Sequence, residues 1–171
     1  MLAHRDEHYY LVNLDIDGTK ERYKMGVKCW ICDIDGTIAD TEHRIHYITN
    51  GHKDWNAWHS NAHKDEPIEE VVALLDMAVM NDIKIVLCTA RDEKCRDDTL
   101  NWLAANHIPY DALYMRKQWD RRDDDIVKFE LLEQIYEAGY EPVLVLEDRN
   151  RVVKMWRAAG LRCLQVADGD F

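Results

Sequence analysis

The sequence predicts a three-layer α/β domain with a mainly parallel central sheet and helices on both faces. Three observations lead there. Short apolar runs alternate with amphipathic segments from residue 28 onward. The runs at 29–34, 83–89 and 142–148 are close to continuously apolar, the mark of strands buried on both faces. A chain of 171 residues that is 47% hydrophobic and 32% charged can also build one core of its own.

Residues 1–27 read as a hairpin-like extension. HYYLVNL leads into DIDGT at 15–19, and the charged KERYKMG returns, with Asp-Gly at the turn. The domain proper is expected over 28–171. CWICDI is its first strand and ends in acids at a second DIDGT, 33–37. The segment 42–63 is polar, rich in His and Trp, and reads as short helices. A helix then starts with Pro67 in its first turn and Glu69 and Glu70 behind it. Ile68, Val71, Val72, Leu75 and Val79 share its apolar face. IKIVLCT is the second buried strand, followed by a helix near 93–106 and a short strand at 110–115. Asp123, Asp124 and Asp125 open the next helix, which carries Val127, Leu131 and Ile135 on one side and stops at Gly139. PVLVLED is the third strong strand. RVVKMWRAAG is a helix ending at Gly160, and LRCLQVA is the last strand.

Charge and cysteine content narrow the function. Lys plus Arg is 22 against 33 Asp plus Glu, a net charge of −11, which excludes a protein that coats duplex nonspecifically. No apolar run approaches the roughly 20 residues of a membrane helix. MLAHRDEHYY has no secretory core, so a cytoplasmic protein without membrane partners is expected. Cys29 and Cys32 form a C-x-x-C within a strand, where residues three apart face opposite ways. They are expected to be buried thiols rather than a redox pair or half a zinc site.

Polar groups gather where the strands end. Asp33 and Asp35 close the first, with Thr37 just beyond. Thr89 closes the second and Arg91 follows. Glu147 and Asp148 close the third strong run, and Lys128 stands in the first turn of the helix before it. In a parallel sheet these positions share one edge. Crowded carboxylates resist ionising unless a cation joins them. Oxygen ligands with retained waters suit Mg²⁺, and a metal in such a nest draws in phosphate. Lys128 opposes the helix dipole by roughly 0.3–1 kcal/mol, a cost offset if it reaches an anion. Thr37 and Thr89 can donate hydroxyl hydrogen bonds to phosphoryl oxygens. A carboxylate can itself attack phosphorus.

With DIDGT, Thr89, Lys128 and Glu147-Asp148 in order, residues 28–171 resemble the haloacid dehalogenase (HAD) superfamily of phosphatases. TAR at 89–91, DDDIVK at 123–128, EDRNRVVKMWR at 147–157 and QVADGDF at 165–171 resemble the 3′-phosphatase domains of the T-even phage type of polynucleotide kinase-phosphatase. The resemblance implies a Rossmann-like HAD fold with a small cap inserted at about 40–66. It implies Asp33 as nucleophile and Asp35 as the acid for the leaving oxygen and the base for water. Thr89 and Lys128 would hold the phosphoryl group. Mg²⁺ would be bound by Asp33, the backbone carbonyl of Asp35 and Asp148, with Glu147 beside or behind them. Arg91 would contact substrate phosphate. The implied substrate is a nucleic-acid 3′ end or a nucleotide, in the host cytoplasm if the chain is phage-encoded. Glu147 replaces an Asp of the phage enzyme. No G-x-x-x-x-G-K-[ST] is present, so phosphatase activity alone is expected.

Competing readings attach to other residues. Asp15 and Asp17 repeat the acid pair but lack the later motifs downstream. His59 and His63 have a spacing that can bind zinc on a helix, though a surface facing solvent or substrate fits better. Trp55 and Trp58 either pack the cap or stack on a nucleobase. Arg116, Lys117, Arg121 and Arg122 are either a solvated loop or a strip that tracks a nucleic-acid backbone, with Arg121 and Arg122 the substrate-binding candidates. Arg149, Arg151, Lys154 and Arg157 fit a wet helix face, and Glu93, Asp97 and Asp98 a charged surface. A phosphatase of free mononucleotides remains an alternative, which the acidity favours. A non-catalytic binding module is the other, although a retired site has no physical reason to keep so many like charges together.

Overall fold

Strand period and sheet burial explain the architecture together. The computed structural model describes residues 26–49, 51 and 53–169. β1 (Val27–Cys32), β4 (Lys84–Asp92), β5 (Ala112–Arg116), β6 (Tyr140–Arg149) and β7 (Cys163–Gly169) form one parallel sheet in the order β5-β4-β1-β6-β7. Alternate residues of each strand go to opposite cores. Cys29, Ile31, Val86, Cys88 and Val145 pack against α5 (Asp124–Glu137) and α6 (Asn150–Ala158). Cys32, Ile85, Leu87 and Leu146 pack against α3 (Glu69–Met80) and α4 (Arg96–Ala105). Both faces are therefore covered, which is why the strands read as unbroken apolar runs. The expected α/β class is what the structure has. Cys29 and Cys32 sit in different cores as free buried thiols.

The chain runs outward from β1 to β4 and β5, then returns to the other side of β1 with β6 and β7. The carboxyl ends of β1, β4 and β6 are thus neighbours where the winding reverses, the place where open α/β sheets bind ligands. After β1, β2 (Ala39–Asp40) pairs antiparallel with β3 (Glu66–Pro67), closing the neck of an insertion. Within it lie 3₁₀ turns at Glu42–Arg44 and Ala62–Lys64, α1 (His46–Thr49) and α2 (Trp55–Ser60).

Several local expectations shift. Pro67 lies in β3, and α3 begins two residues later. Val79 is 46% exposed while Ala78 is buried, because the buried stripe runs 71, 75, 78. A 3₁₀ turn at Glu93–Cys95 precedes α4, capped by the Asp92 side chain, which accepts from the Lys94 amide. Lys128 falls in the second turn of α5, not the first. Of the hairpin expected over 1–27, residues 1–25 with the first DIDGT lie outside the described residues, as do Asn50, His52 and the last two residues of QVADGDF, and Val27 is the first residue of β1. Among those described, no helix is long and apolar enough to cross a membrane.

Candidate active site

β1 ends at Cys32, so Asp33 is the first residue beyond it, and its amide still donates to the Leu146 carbonyl of β6 (3.1 Å). Glu147 and Asp148 stand at the end of β6 next door. Oxygens of Asp33, Glu147 and Asp148 lie within 4.8 Å of one another, and all three residues are buried. Lys128, reaching across from α5, places Nζ 2.8 Å from Asp33 Oδ1 and 2.7 Å from Glu147 Oε2. Trp156 Nε1 donates to the same Glu147 oxygen (3.3 Å).

Two glycines shape the space around Asp148. Gly36, at φ +82°, would bring a Cβ within 2.3 Å of Asp148 Oδ2, and a Cβ on Gly169 would fall 2.7 Å from that oxygen. The Gly36 backbone is left-handed, which glycine adopts without strain. Thr37 Oγ1 donates to Asp148 Oδ1 (3.2 Å), and Gln165 Nε2 donates to the Asp148 carbonyl (2.7 Å). Thr37 is fully buried and so braces a carboxylate, where a phosphoryl contact was expected.

The electrostatics of this nest are unbalanced. Burial raises Asp33; Lys128 opposes it, and the Glu147 charge adds to the rise. Burial likewise lifts Glu147 against the pull of Lys128. Asp148 is pushed up to about 6, by burial first and the Asp33 charge second. Burial works against the Lys128 ammonium, but Asp33 and Glu147 overcome it and hold the proton firmly. Three buried carboxylates against one ammonium are a donor set that fits a hard divalent cation.

Asp35 lies in different surroundings. Arg91 donates to it through Nε (3.0 and 3.1 Å) and Nη2 (2.6 Å), and Arg44 Nη2 donates to it at 2.6 Å. Burial would raise its carboxyl; the two guanidiniums outweigh that and hold it well below the usual carboxylate range. Its side chain is not part of the acid cluster. Asp65, at the far end of the insertion, accepts from Arg44 Nε (2.6 Å) and Arg91 Nη2 (3.2 Å), and His43 Nε2 lies 2.9 Å away. The Arg44 guanidinium rests 3.9 Å from the Trp58 ring centroid. Arg44 and Asp65, missed by sequence reasoning, join the insertion to the core. Nothing in their local spacing announces them.

Thr89 is buried and accepts from the Arg91 amide (3.1 Å). It shares a cavity of about 590 Å³ with Asp33, Asp35, Lys128 and Asp148. Arg91 and Arg121 also line it. The basic residues at 116–122 have unequal surroundings. Arg116 is buried, with Nε donating to the Ala90 carbonyl (2.9 Å), Nη1 to the carbonyls of Asp120 (3.2 Å) and Arg122 (2.7 Å), and Nη2 to Asp124. Arg122 lines the cavity while paired with Asp120 (2.5 Å) and Glu130. Asp124 also accepts from Arg149 at the end of β6, and Arg151 of α6 pairs with Asp123 (3.0 Å) while both stay exposed. Both tryptophans line the cavity, Trp58 buried within the insertion and Trp55 45% exposed. His59 lines it too, burial pressing its ring down to about 4. Among the described residues, the cluster with metal-ligand geometry is Asp33, Glu147 and Asp148, and neither His59 nor His63 is part of it.

The profile of the polynucleotide kinase PNKP phosphatase-domain family matches residues 27–171. The chain belongs to this family. It has the HAD-superfamily phosphatase fold, and a chain in the structure of the Pnkp1/Rnl/Hen1 RNA repair complex is similar to all of it, with 33% identity and a TM-score of 0.74. It covers 49% of that longer chain. A protein of Autographa californica nuclear polyhedrosis virus, described as a bifunctional polynucleotide kinase/RNA ligase, is 28% identical over 128 residues, 74% of this chain and 17% of the viral protein. The chain thus spans about half the length of the repair-complex relative and less of the viral one. The class C acid phosphatase from Bacillus anthracis shares the fold at 17% identity, a TM-score of 0.60 and coverage of 85% of this chain and 68% of that one.

Proposed function

We propose that this domain removes the phosphate from a 3′-phosphorylated nucleic-acid end through an aspartyl-phosphate on Asp33. The observation that carries the reading is Lys128, which bridges Asp33 and Glu147 at 2.8 and 2.7 Å beside Asp148. A buried ammonium between carboxylates leaves a site still short of positive charge, and a phosphoryl-transfer centre supplies that from a cation. Asp33, Glu147 and Asp148 would hold Mg²⁺, with the Asp35 backbone carbonyl as a further ligand. Bound there, the ion neutralises the acids and the charge on the phosphate.

In the first half-reaction an Asp33 oxygen attacks phosphorus and the bond from phosphorus to the 3′ oxygen breaks. Asp35 gives the leaving oxygen its proton. In the second, Asp35 takes a proton from water, water oxygen bonds to phosphorus, and Asp33 is released with inorganic phosphate. Thr89 and Lys128 donate hydrogen bonds to the phosphoryl oxygens. The resting Asp35, held ionised by Arg44 and Arg91, is in the form needed for the second half. An incoming phosphate dianion gives Arg91, which lines the cavity, a competing partner, and its own charge also favours the protonated form of Asp35, so that Asp35 can carry a proton.

The test compares a 3′-phosphorylated oligonucleotide, its 5′-phosphorylated isomer, and 3′- and 5′-mononucleotides under identical conditions. The 3′-phosphorylated oligonucleotide is expected to be hydrolysed fastest. Faster turnover of mononucleotides would favour the nucleotidase reading, which the net charge of −11 supports.

A further inference from the structure

We propose that Trp119 is a stacking platform for a nucleobase beside the phosphate-bearing end, an inference that rests on the proposed function. Trp119 is 75% exposed on the loop between β5 and α5 and lines the same cavity as Asp33 and Lys128. Its backbone is left-handed, at φ +71°. For a bulky side chain that conformation is strained and persists only where surrounding contacts impose it. The contacts are present beneath it. Arg116 Nη1 binds the carbonyls of Asp120 and Arg122 at 3.2 and 2.7 Å. The Asp120 amide donates to the Lys117 carbonyl (3.1 Å), and Arg122 Nε reaches Asp120 Oδ1 at 3.0 Å.

The loop is thus pinned by its polar groups while the indole is held outward, where it gains little from burial. A large flat apolar ring fixed in a cavity of about 590 Å³ that also holds the acid nest fits one ligand chemistry well: a planar base joined to the phosphate. Arg121, exposed beside it in the same cavity, can meet the chain's phosphates. Trp55, from α2, offers a second exposed ring in this cavity, 6.4 Å from His59 in a stacked arrangement. Stacking tolerates any base, so the platform favours an unpaired end without choosing a sequence.

The test uses two oligonucleotides with a 3′-phosphate, one with a normal terminal base and one abasic at that residue. Binding is read by fluorescence anisotropy in the Asp33→Asn background, and KM and kcat in the active protein. Trp119→Ala is expected to weaken binding of the base-bearing end about ten- to a hundredfold and raise its KM alike, with kcat little changed. The abasic end should lose less than threefold, and Trp119→Phe should restore most of the loss. Trp119→Gly, which accepts the left-handed backbone, should melt no lower than the parent yet bind as weakly as the alanine variant. Equal losses for both ends, or binding of the base-bearing end within twofold of the parent, would overturn the platform. A selective binding loss in a protein that hydrolyses neither 3′-phosphate would keep the platform and remove the proposed reaction.

Discussion

The two acids of one DIDGT sit two residues apart in opposite electrostatic settings. Around Asp33, three buried carboxylates face one ammonium, that of Lys128. Around Asp35, two carboxylates face two guanidiniums, with Asp65, Arg44 and Arg91 completing the set. The nest is short of positive charge and the clasp is balanced. An added cation would therefore stabilise the nest. The clasp holds its own acid ionised and joins the insertion to the core. A single short motif thus places one acid where positive charge is lacking and another where two guanidiniums hold it ionised, because their neighbours differ.

The largest expected effect breaks the nest. Asp33→Asn should cut phosphate release by at least about a thousandfold, since an amide cannot replace the proposed nucleophile. EDTA should stop hydrolysis in the parent and Mg²⁺ should restore it. Residual turnover within tenfold of the parent in the variant, or indifference to the chelator, would mean that the charge deficit around Asp33 has no part in the reaction.

The clasp is tested next. Arg44 is fully buried, and Arg44→Ala leaves Asp65 and Asp35 to share Arg91. Removing one partner from a buried pair leaves an uncompensated charge, and a loss of about 3–5 kcal/mol in folding stability is expected by urea unfolding. Asp35 should become easier to protonate in the same variant. A loss below about 1 kcal/mol would show that the insertion is held by the packing of Trp58 and its neighbours rather than by charge.

The two halves of the comparison were unequally visible in the sequence. Apolar runs closed by a polar group marked β1, β4 and β6, and parallel pairing then brings Asp33, Glu147 and Asp148 together. The clasp left no such trace. Arg44 and Asp65 lie in a polar segment where charges are ordinarily solvated, and pairing across 21 residues buries them. Arg116 is the converse case. In sequence it belongs to a basic run, yet loop carbonyls and Asp124 draw it inside. Gly169 is legible only once β7 is known to pass beside Asp148.

That distinction between bound and available cations sets the smallest prediction. Arg121 and Arg122 adjoin in sequence and line the same cavity, but Arg122 is held by Asp120 and Glu130. Among the described residues no ion pair holds Arg121. Exposed pairs contribute little energy, yet they occupy the donors that a phosphate would use. Arg121→Ala is therefore expected to raise KM for a 3′-phosphorylated oligonucleotide about three- to tenfold and to leave a 3′-mononucleotide within twofold. Arg122→Ala should do less on the oligonucleotide, and its raised KM should be the less sensitive of the two to added salt. Equal effects of the two substitutions, or equal effects on both substrates, would make the pair ordinary surface and leave Arg91 as the arginine on which substrate phosphate depends.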